Sequence, residues 1–139
     1  MVGEVQAAQQ EIVEEFSLFD DWMGRYQYII DLGRRLPDFP EKLRTEENRI
    51  RGCQSQVWLV SEQKDGRLYF RAISDAAIVS GLNALLLRLY SGREPQDILD
   101  TPPDFVQALQ LESHLSPTRS NGLSSMLQAI RGYAAEAAG

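Results

Sequence analysis

An Asp-Gly pair at residues 65–66 separates two strand-forming runs, VWLVSEQK (57–64) and RLYFRAI (67–73). Two-residue Asp-Gly links favour type I′ turns, whose central residues both need positive φ. This feature constrains the fold more tightly than any other in the chain, because such a turn fixes strand pairing residue by residue. Lys64 must face Arg67, so Ser61 faces Phe70, Leu59 faces Ala72 and Val57 faces Ser74. Side chains alternate between the two faces of a strand. Val57, Leu59, Leu68, Phe70 and Ala72 therefore share one face, assigned to the core. Trp58, Val60, Tyr69 and Ile73 share the other with Glu62 and Arg71, a mixed face.

The hairpin leads into SDAAIVSGLNALLLRLYSG (74–92). Ser74 or Asp75 is the expected N-cap and Gly92 the expected stop. The segment is apolar almost all round, which predicts a buried central helix. Upstream, Val5, Ala8, Ile12, Phe16 and Phe19 recur at helical spacing and predict a helix over 4–19. A second helix starts near Asp20 or Asp21, carries Trp22, Tyr26, Ile29 and Ile30 on one stripe, and stops at PDFP (37–40). EKLRTEENR (41–49) is polar with little periodicity, and Ile50 fits a short strand. Downstream, 95–100 read as a helical turn and PPDFVQALQL (102–111) as a helix opened by prolines. ESHLSPTRSNG (112–122) reads as a loop into a last helix, capped by Asn121 or an earlier serine. That helix has Leu123, Met126, Leu127, Ile130 and Tyr133 on its stripe. Helices set around a small antiparallel sheet make an α+β fold. The 139 residues fit one domain, 1–139, with no repeat or linker.

Composition removes several classes of function. The net charge of −6 lacks the basic footprint of a nucleic-acid or anionic-lipid binder. Arg34, Arg35, Arg49 and Arg51 are candidates for a local basic patch, although solvated surface accounts for most of them. The most apolar stretch, 76–90, falls short of the ~20 residues of a membrane span and contains Arg88. The N-terminal residues are acidic, without a signal-peptide core. One cysteine makes no internal disulfide, which suits a reducing compartment. A cytoplasmic protein with no nucleic-acid or membrane partner is expected.

That cysteine, Cys53, stands in IRGCQSQVW (50–58). The hairpin register places Val57 opposite Ser74, so the loop GCQSQ (52–56) and the start of the buried helix share the open end of the hairpin. A helix N-terminus favours a thiolate, the nucleophilic form, and Arg49 and Arg51 act in the same direction. Asp75 acts against it, and the sequence leaves that balance open. Gly52 permits a turn that lifts Cys53 onto a loop tip. Two readings compete. Free cysteine is among the most buried residue types. Cys53, however, is flanked by Gly52 and Gln54 outside any apolar periodicity, which favours reactivity.

Other chemistries have less support. A structural zinc site wants four Cys or His ligands, and the chain has one of each. Cys53 with His114 as base, and Asn83 or Asn121 as orienter, would make a partner-independent hydrolase or transferase. Only composition supports it, and His114 reads more readily as a loop or helix-end histidine. No glycine-rich phosphate loop is present, and Trp22 and Trp58 read as packing residues.

IRGCQSQVW, SDAAIVSGLNALL (74–86) and HLSPTRSNGL (114–123) together resemble the SufE-type sulfur acceptors of iron–sulfur cluster assembly, the SufE/CsdE family. The three motifs stand in family order and spacing, and YQYIIDLGRRLP (26–37) is similar to the family's N-terminal helix. The resemblance runs from about residue 10 to about residue 135. It implies an α+β fold, a small antiparallel sheet packed against several helices, similar to IscU-type scaffolds. It implies that Cys53 accepts sulfur from the persulfide of a cysteine desulfurase of SufS or CsdA type, stimulates that enzyme, and passes the sulfur to an iron–sulfur scaffold. On this reading the chain is a carrier and activator and not itself an enzyme. It has no cofactor of its own, because pyridoxal phosphate belongs to the desulfurase. Asp75 and Arg119 match motif positions near the acceptor loop, where Arg119 would steady an anionic persulfide or pair with Asp75 or the partner. A structural ion pair explains Arg119 equally well. Gly52, Gln54 and Ser55 would shape the loop. A monomer and a homodimer both fit, and the motifs do not separate the SufE from the CsdE type.

Overall fold

The computed structural model describes residues 3–52 and 56–139, leaving aside the Glu112 side chain. The hairpin forms as the sequence predicts. Strand β1 (Val57–Lys64) pairs antiparallel with β2 (Arg67–Ser74), from Lys64 opposite Arg67 to Val57 opposite Ser74. Asp65 and Gly66 have φ of 53° and 79°, the two left-handed residues that a type I′ turn requires. Val57, Leu59, Leu68, Phe70 and Ala72 are buried, whereas Trp58, Val60 and Ile73 are half-buried and Tyr69 is exposed. The guanidinium of Arg44 lies 5.7 Å from the centre of the Trp58 ring on that outer face.

Seven helices surround this sheet among the described residues: α1 (Glu4–Phe16), α2 (Trp22–Arg34), α3 (Ala77–Tyr90), α4 (Pro95–Asp100), α5 (Asp104–Ala108), α6 (Leu111–His114) and α7 (Pro117–Ala138). Helix α3 is the buried centre. It packs against β2, α2, α1 and α7, and Leu82, Leu85, Leu86 and Leu89 are fully buried on it. Each leucine contributes roughly 1.5–3 kcal/mol by burial. Asp21 caps α2 as expected, accepting from the Gly24 N–H at 2.9 Å.

Several boundaries differ from the sequence expectation, each for a local reason. Helix α1 ends at Phe16, not Phe19, because the chain turns over 17–19 and the Ser17 hydroxyl donates to the Glu14 carbonyl at 2.6 Å. Phe19 packs on Tyr28 instead, with ring centres 5.0 Å apart. The helix expected over 102–111 is broken at Gln110, whose φ of 56° separates α5 from α6. The loop expected over 112–122 is largely helical. Ser116 is the N-cap of α7, accepting from the Arg119 N–H at 3.3 Å, with Pro117 at the first helical position.

Helix α2 crosses α3 where glycine meets glycine. A Cβ on Gly81 would overlap the Ile29 carbonyl, and a Cβ on Gly33 would lie 2.6 Å from the Gly81 nitrogen. The two backbones approach closely because neither has a side chain there. Gly81→Ala is expected to lower stability by about 3 kcal/mol, near the top of the range for overpacking. That loss would exceed the ~1 kcal/mol that alanine gains in helix propensity. A variant melting within a couple of degrees of the parent would contradict this account.

A second tie binds α1 to the same pair. Arg88 of α3 donates to Glu15 of α1, with Nη1 2.7 Å from Oε1, and the Tyr28 hydroxyl of α2 donates to that carboxylate too. The Arg88 hydrogen bond holds the Glu15 carboxyl below its ordinary value of 4.5, against the opposing effect of burial. A carboxylate with a depressed folded pKa contributes stability above its unfolded value and loses it as pH falls through the folded one. Glu15→Gln should therefore lower Tm at neutral pH. The gap to the parent should close as pH falls below 4.5, and a gap unchanged at low pH would rule out the ion pair as its source.

Candidate functional site

The chain that carries Cys53 is held at both ends by described residues. Cys53, Gln54 and Ser55 themselves lie outside the described residues, so the expectations made for them rest on sequence. Residues 49–50 run antiparallel to β1. Arg49 bridges to Trp58, and the Ile50 N–H donates to the Val57 carbonyl at 2.8 Å, closing 51–56 into a loop. This matches the short strand-like segment expected at Ile50.

The C-terminal end of the loop is fixed by Asp75. Its carboxylate accepts from the Gln56 N–H at 3.0 Å, and its own N–H donates to the Gln56 carbonyl at 3.2 Å. Asp75 thus faces the loop and does not cap α3, and the expectation that it or Ser74 occupies the N-cap position is corrected. Ala76 stands there, without a side-chain cap. The Ser74 hydroxyl accepts from the Ala76 N–H at 3.2 Å, and the Ser80 hydroxyl donates to the Ser74 carbonyl at 3.2 Å. The hairpin register is what brings Gln56 beside Asp75, two chain positions beyond the Trp58–Ile73 pair.

The N-terminal end of the loop is fixed by shape. Gly52 has φ of 90°, and a Cβ built on it would lie 2.6 Å from the Ser125 Oγ of α7. Any other residue at 52 meets a strained backbone, and its Cβ would oblige the Ser125 hydroxyl to turn aside. Beside this contact runs an open groove of about 470 Å³ between residues 48–51 and α7, lined by Asn48, Arg51, Ser125, Gln128, Gly132 and Tyr133 among others. Arg51 is exposed, and Arg49 lies 3.4 Å from the Glu46 carboxylate.

Arg119, in the first turn of α7, donates from Nη1 to the Tyr26 hydroxyl at 2.6 Å, so α2 and not Asp75 is its partner among the described residues. The exposed His114 ring stacks on Trp22, with centres 4.2 Å apart and planes 15° from parallel. No group of three metal-ligating side chains occurs among the described residues, and no described helix is long and apolar enough to cross a membrane.

Ser125 and Tyr26 were not singled out for the site in the sequence. Ser125 follows the polar Ser124 and precedes the core residue Met126, a pattern of ordinary helix surface. Tyr26 reads as part of the α2 stripe. Only the tertiary arrangement sets them against Gly52 and Arg119.

Removing the Asp75 acceptor should loosen the loop without unfolding the protein. In Asp75→Ala the Gln56 amide is expected to exchange about tenfold faster, the equivalent of roughly 1.5 kcal/mol for a hydrogen bond to a charged group. Unchanged Gln56 exchange, followed by amide NMR, would show that the bond contributes nothing.

A two-stranded antiparallel sheet under a buried helix, wrapped by further helices, defines a small α+β protein with a loop at the open end of its hairpin. A solution structure of a hypothetical protein from Thermus thermophilus has the same fold, with a TM-score of 0.77 over 94% of this chain and 95% of that one, at 22% identity. Residues 10–134 match the SufE family, described as an Fe-S metabolism associated domain, and the chain belongs to that family. An uncharacterized SufE-like protein of Rhizobium meliloti (strain 1021) is 42% identical over 129 residues, covering 89% of this chain and 92% of the relative. The family places the chain in the context of sulfur transfer and iron–sulfur metabolism.

Proposed function

We propose that the protein is a sulfur acceptor that takes persulfide sulfur from a cysteine desulfurase onto Cys53, stimulates that enzyme, and passes the sulfur on for iron–sulfur cluster assembly. The observation that carries the reading is the position of Cys53 within the family match, on a loop whose two ends are anchored at Gly52 and Gln56. The Cys53 thiolate attacks the terminal sulfur of the desulfurase persulfide. The bond between the two sulfurs of that persulfide breaks, the desulfurase cysteine leaves as a thiolate, and a new S–S bond forms on Cys53. The step is thiol exchange with no net oxidation, and its rate depends on thiolate fraction, leaving group and access. The pyridoxal phosphate and the chemistry that frees sulfur from cysteine belong to the desulfurase, of SufS or CsdA type. This chain acts as carrier and activator in the cytoplasm, and a cluster scaffold receives the cargo.

Arg119 and Asp75 serve this transfer in different ways. The Arg119 guanidinium, steadied by Tyr26, is available to an anionic persulfide or to the partner surface. Asp75 holds the chain at Gln56 through both its carboxylate and its backbone N–H. No observation favours the hydrolase reading with Cys53 and His114, since the His114 ring is engaged with Trp22.

Incubation with a competent desulfurase and free cysteine, followed by intact mass measurement, should show the gain of a sulfur atom that a reductant removes. Cys53→Ser should show no gain. A parent protein that stays unmodified while the desulfurase turns over would overturn the proposal.

A further inference from the structure

We propose that the turn joining α1 to α2 is a docking surface for the desulfurase, with Leu18 and Met23 as apolar anchors inside an acidic rim. It is built from none of the residues that anchor the Cys53 loop. It takes a partner surface that is apolar at its centre and carries lysine or arginine around it. The inference rests on the reading of the chain as a sulfur acceptor, and its first measurement is of binding, with no sulfur moved.

Among the described residues only three large apolar side chains are exposed. Two of them, Leu18 and Met23, fall in the stretch LFDDWM (18–23) and are 80% and 81% exposed. Hydrogen bonds hold this turn. The Leu18 N–H donates to the Glu15 carbonyl and the Phe19 N–H to the Phe16 carbonyl, both at 3.2 Å, and Asp21 caps α2. Phe16 is buried, and Phe19 lies against Tyr28 and Gly24, where a Cβ would come within 3.2 Å of its ring. The inward positions thus go to Phe16, Phe19 and the half-buried Trp22, and Leu18 and Met23 are left in water. A single exposed apolar residue is ordinary, but two on one turn, rimmed by charge, mark a contact surface.

The charge around the anchors identifies what they take. Residues 1–24 contain six carboxylates and no lysine or arginine. Glu4 pairs with Arg67, and Glu15 and Glu11 face Arg88. Glu14 and Asp20 are exposed without an ion pair among the described residues, and Asp21, exposed too, accepts from the Gly24 N–H. Arg25, the next cation along the chain, is half-buried with its Nε enclosed. A second copy is a poor occupant, because a two-fold contact would set Glu14, Asp20 and Asp21 against the same three residues. Anionic lipid and nucleic acid are repelled for the same reason. A basic rim about an apolar pocket fits, with Leu18 in the pocket and the flexible Met23 adapting to the surface beside it. The desulfurase is the partner that needs such a hold. A specific protein contact buries about 800 Å² on each side, more than a loop of a few residues supplies. GCQSQ (52–56) contains no large apolar side chain, so anchors must come from elsewhere on the chain.

Calorimetric titration of a SufS-type desulfurase with the chain in a Cys53→Ser background measures binding alone. The double variant Leu18→Ser/Met23→Ser should weaken Kd about tenfold, as loss of anchor residues does. Asp20→Lys should weaken it too and flatten its salt dependence. Tyr69→Ser removes the third exposed apolar side chain, on the outer face of the hairpin, and should keep the parent Kd. All these side chains are exposed, so Tm should stay near the parent value. Should the double variant fail to fold, Asp20→Lys carries the test. With Cys53 present, the double variant should raise the acceptor concentration that half-saturates stimulation by the same factor and still load sulfur fully at saturation. An unchanged Kd in the folded double variant, an equal loss in Tyr69→Ser, or a desulfurase that does not bind the parent chain would overturn the docking surface. Weakened binding in the double variant, with no sulfur gained by the parent protein, would instead count against the acceptor reading and leave the surface standing.

Discussion

The Asp65-Gly66 turn sets the position of the rest of the site. Two adjacent residues with positive φ admit one strand register, and that register sends the hairpin's buried side chains inward together. It also fixes which residues meet at the far end. A slip of one residue would expose Leu59 and Phe70 and separate Gln56 from Asp75. The core face and the pairing of Gln56 with Asp75 are therefore specified by the same turn, and neither can shift without the other. The cost of exposing the apolar face protects the geometry of a loop that has little apolar surface of its own.

Helix α3 passes this constraint to the other elements. It follows β2 after two residues and lies under the sheet, so its direction is inherited from the hairpin. The glycine crossing then places α2 close against it, and the Arg88–Glu15–Tyr28 cluster joins α1, α2 and α3. Arg88 keeps its charge in this half-buried position because Glu15 compensates it, and each raises the other's preference for the ionised form. Through α2 the order reaches Tyr26, and through Tyr26 it reaches Arg119 of α7. The candidate residues thus sit on separate elements that are all referred to one buried helix.

Much of this was legible in the sequence where a local rule and the tertiary demand agree. The hairpin, its two faces, the buried helix, the Asp21 cap and the turn at 95–100 fall in that class. What the sequence did not show comes from places where one residue answers to two demands. Asp75 is a good N-cap type, yet Gln56 across the hairpin end competes for its carboxylate and wins. Gly33 and Gly81 look like costs inside helices until a second backbone is brought against them. The segment Pro117–Asn121 has no apolar stripe, so periodicity gives it no helix, although Ser116-Pro117 is a sound start for one. Gln110 carries no turn signature at all, yet its left-handed backbone is where α5 gives way to α6. Of the site itself, the family motif was readable at Gly52, Asp75 and Arg119, but their actual partners Ser125, Gln56 and Tyr26 were not.

The loop that bears Cys53 meets two different kinds of restraint, and the difference bears on how a carrier works. A sulfur acceptor must present its thiol to a partner and yet not spend the interval reacting with oxidants. A loop fixed by hydrogen bonds alone would trade them for water at little net loss, since each is worth only about 1 kcal/mol when water is the alternative. A loop fixed by packing alone would need a large displacement to release. The described ends of this loop are held in these two ways, by hydrogen bonds between Gln56 and Asp75 and by a left-handed glycine packed near Ser125.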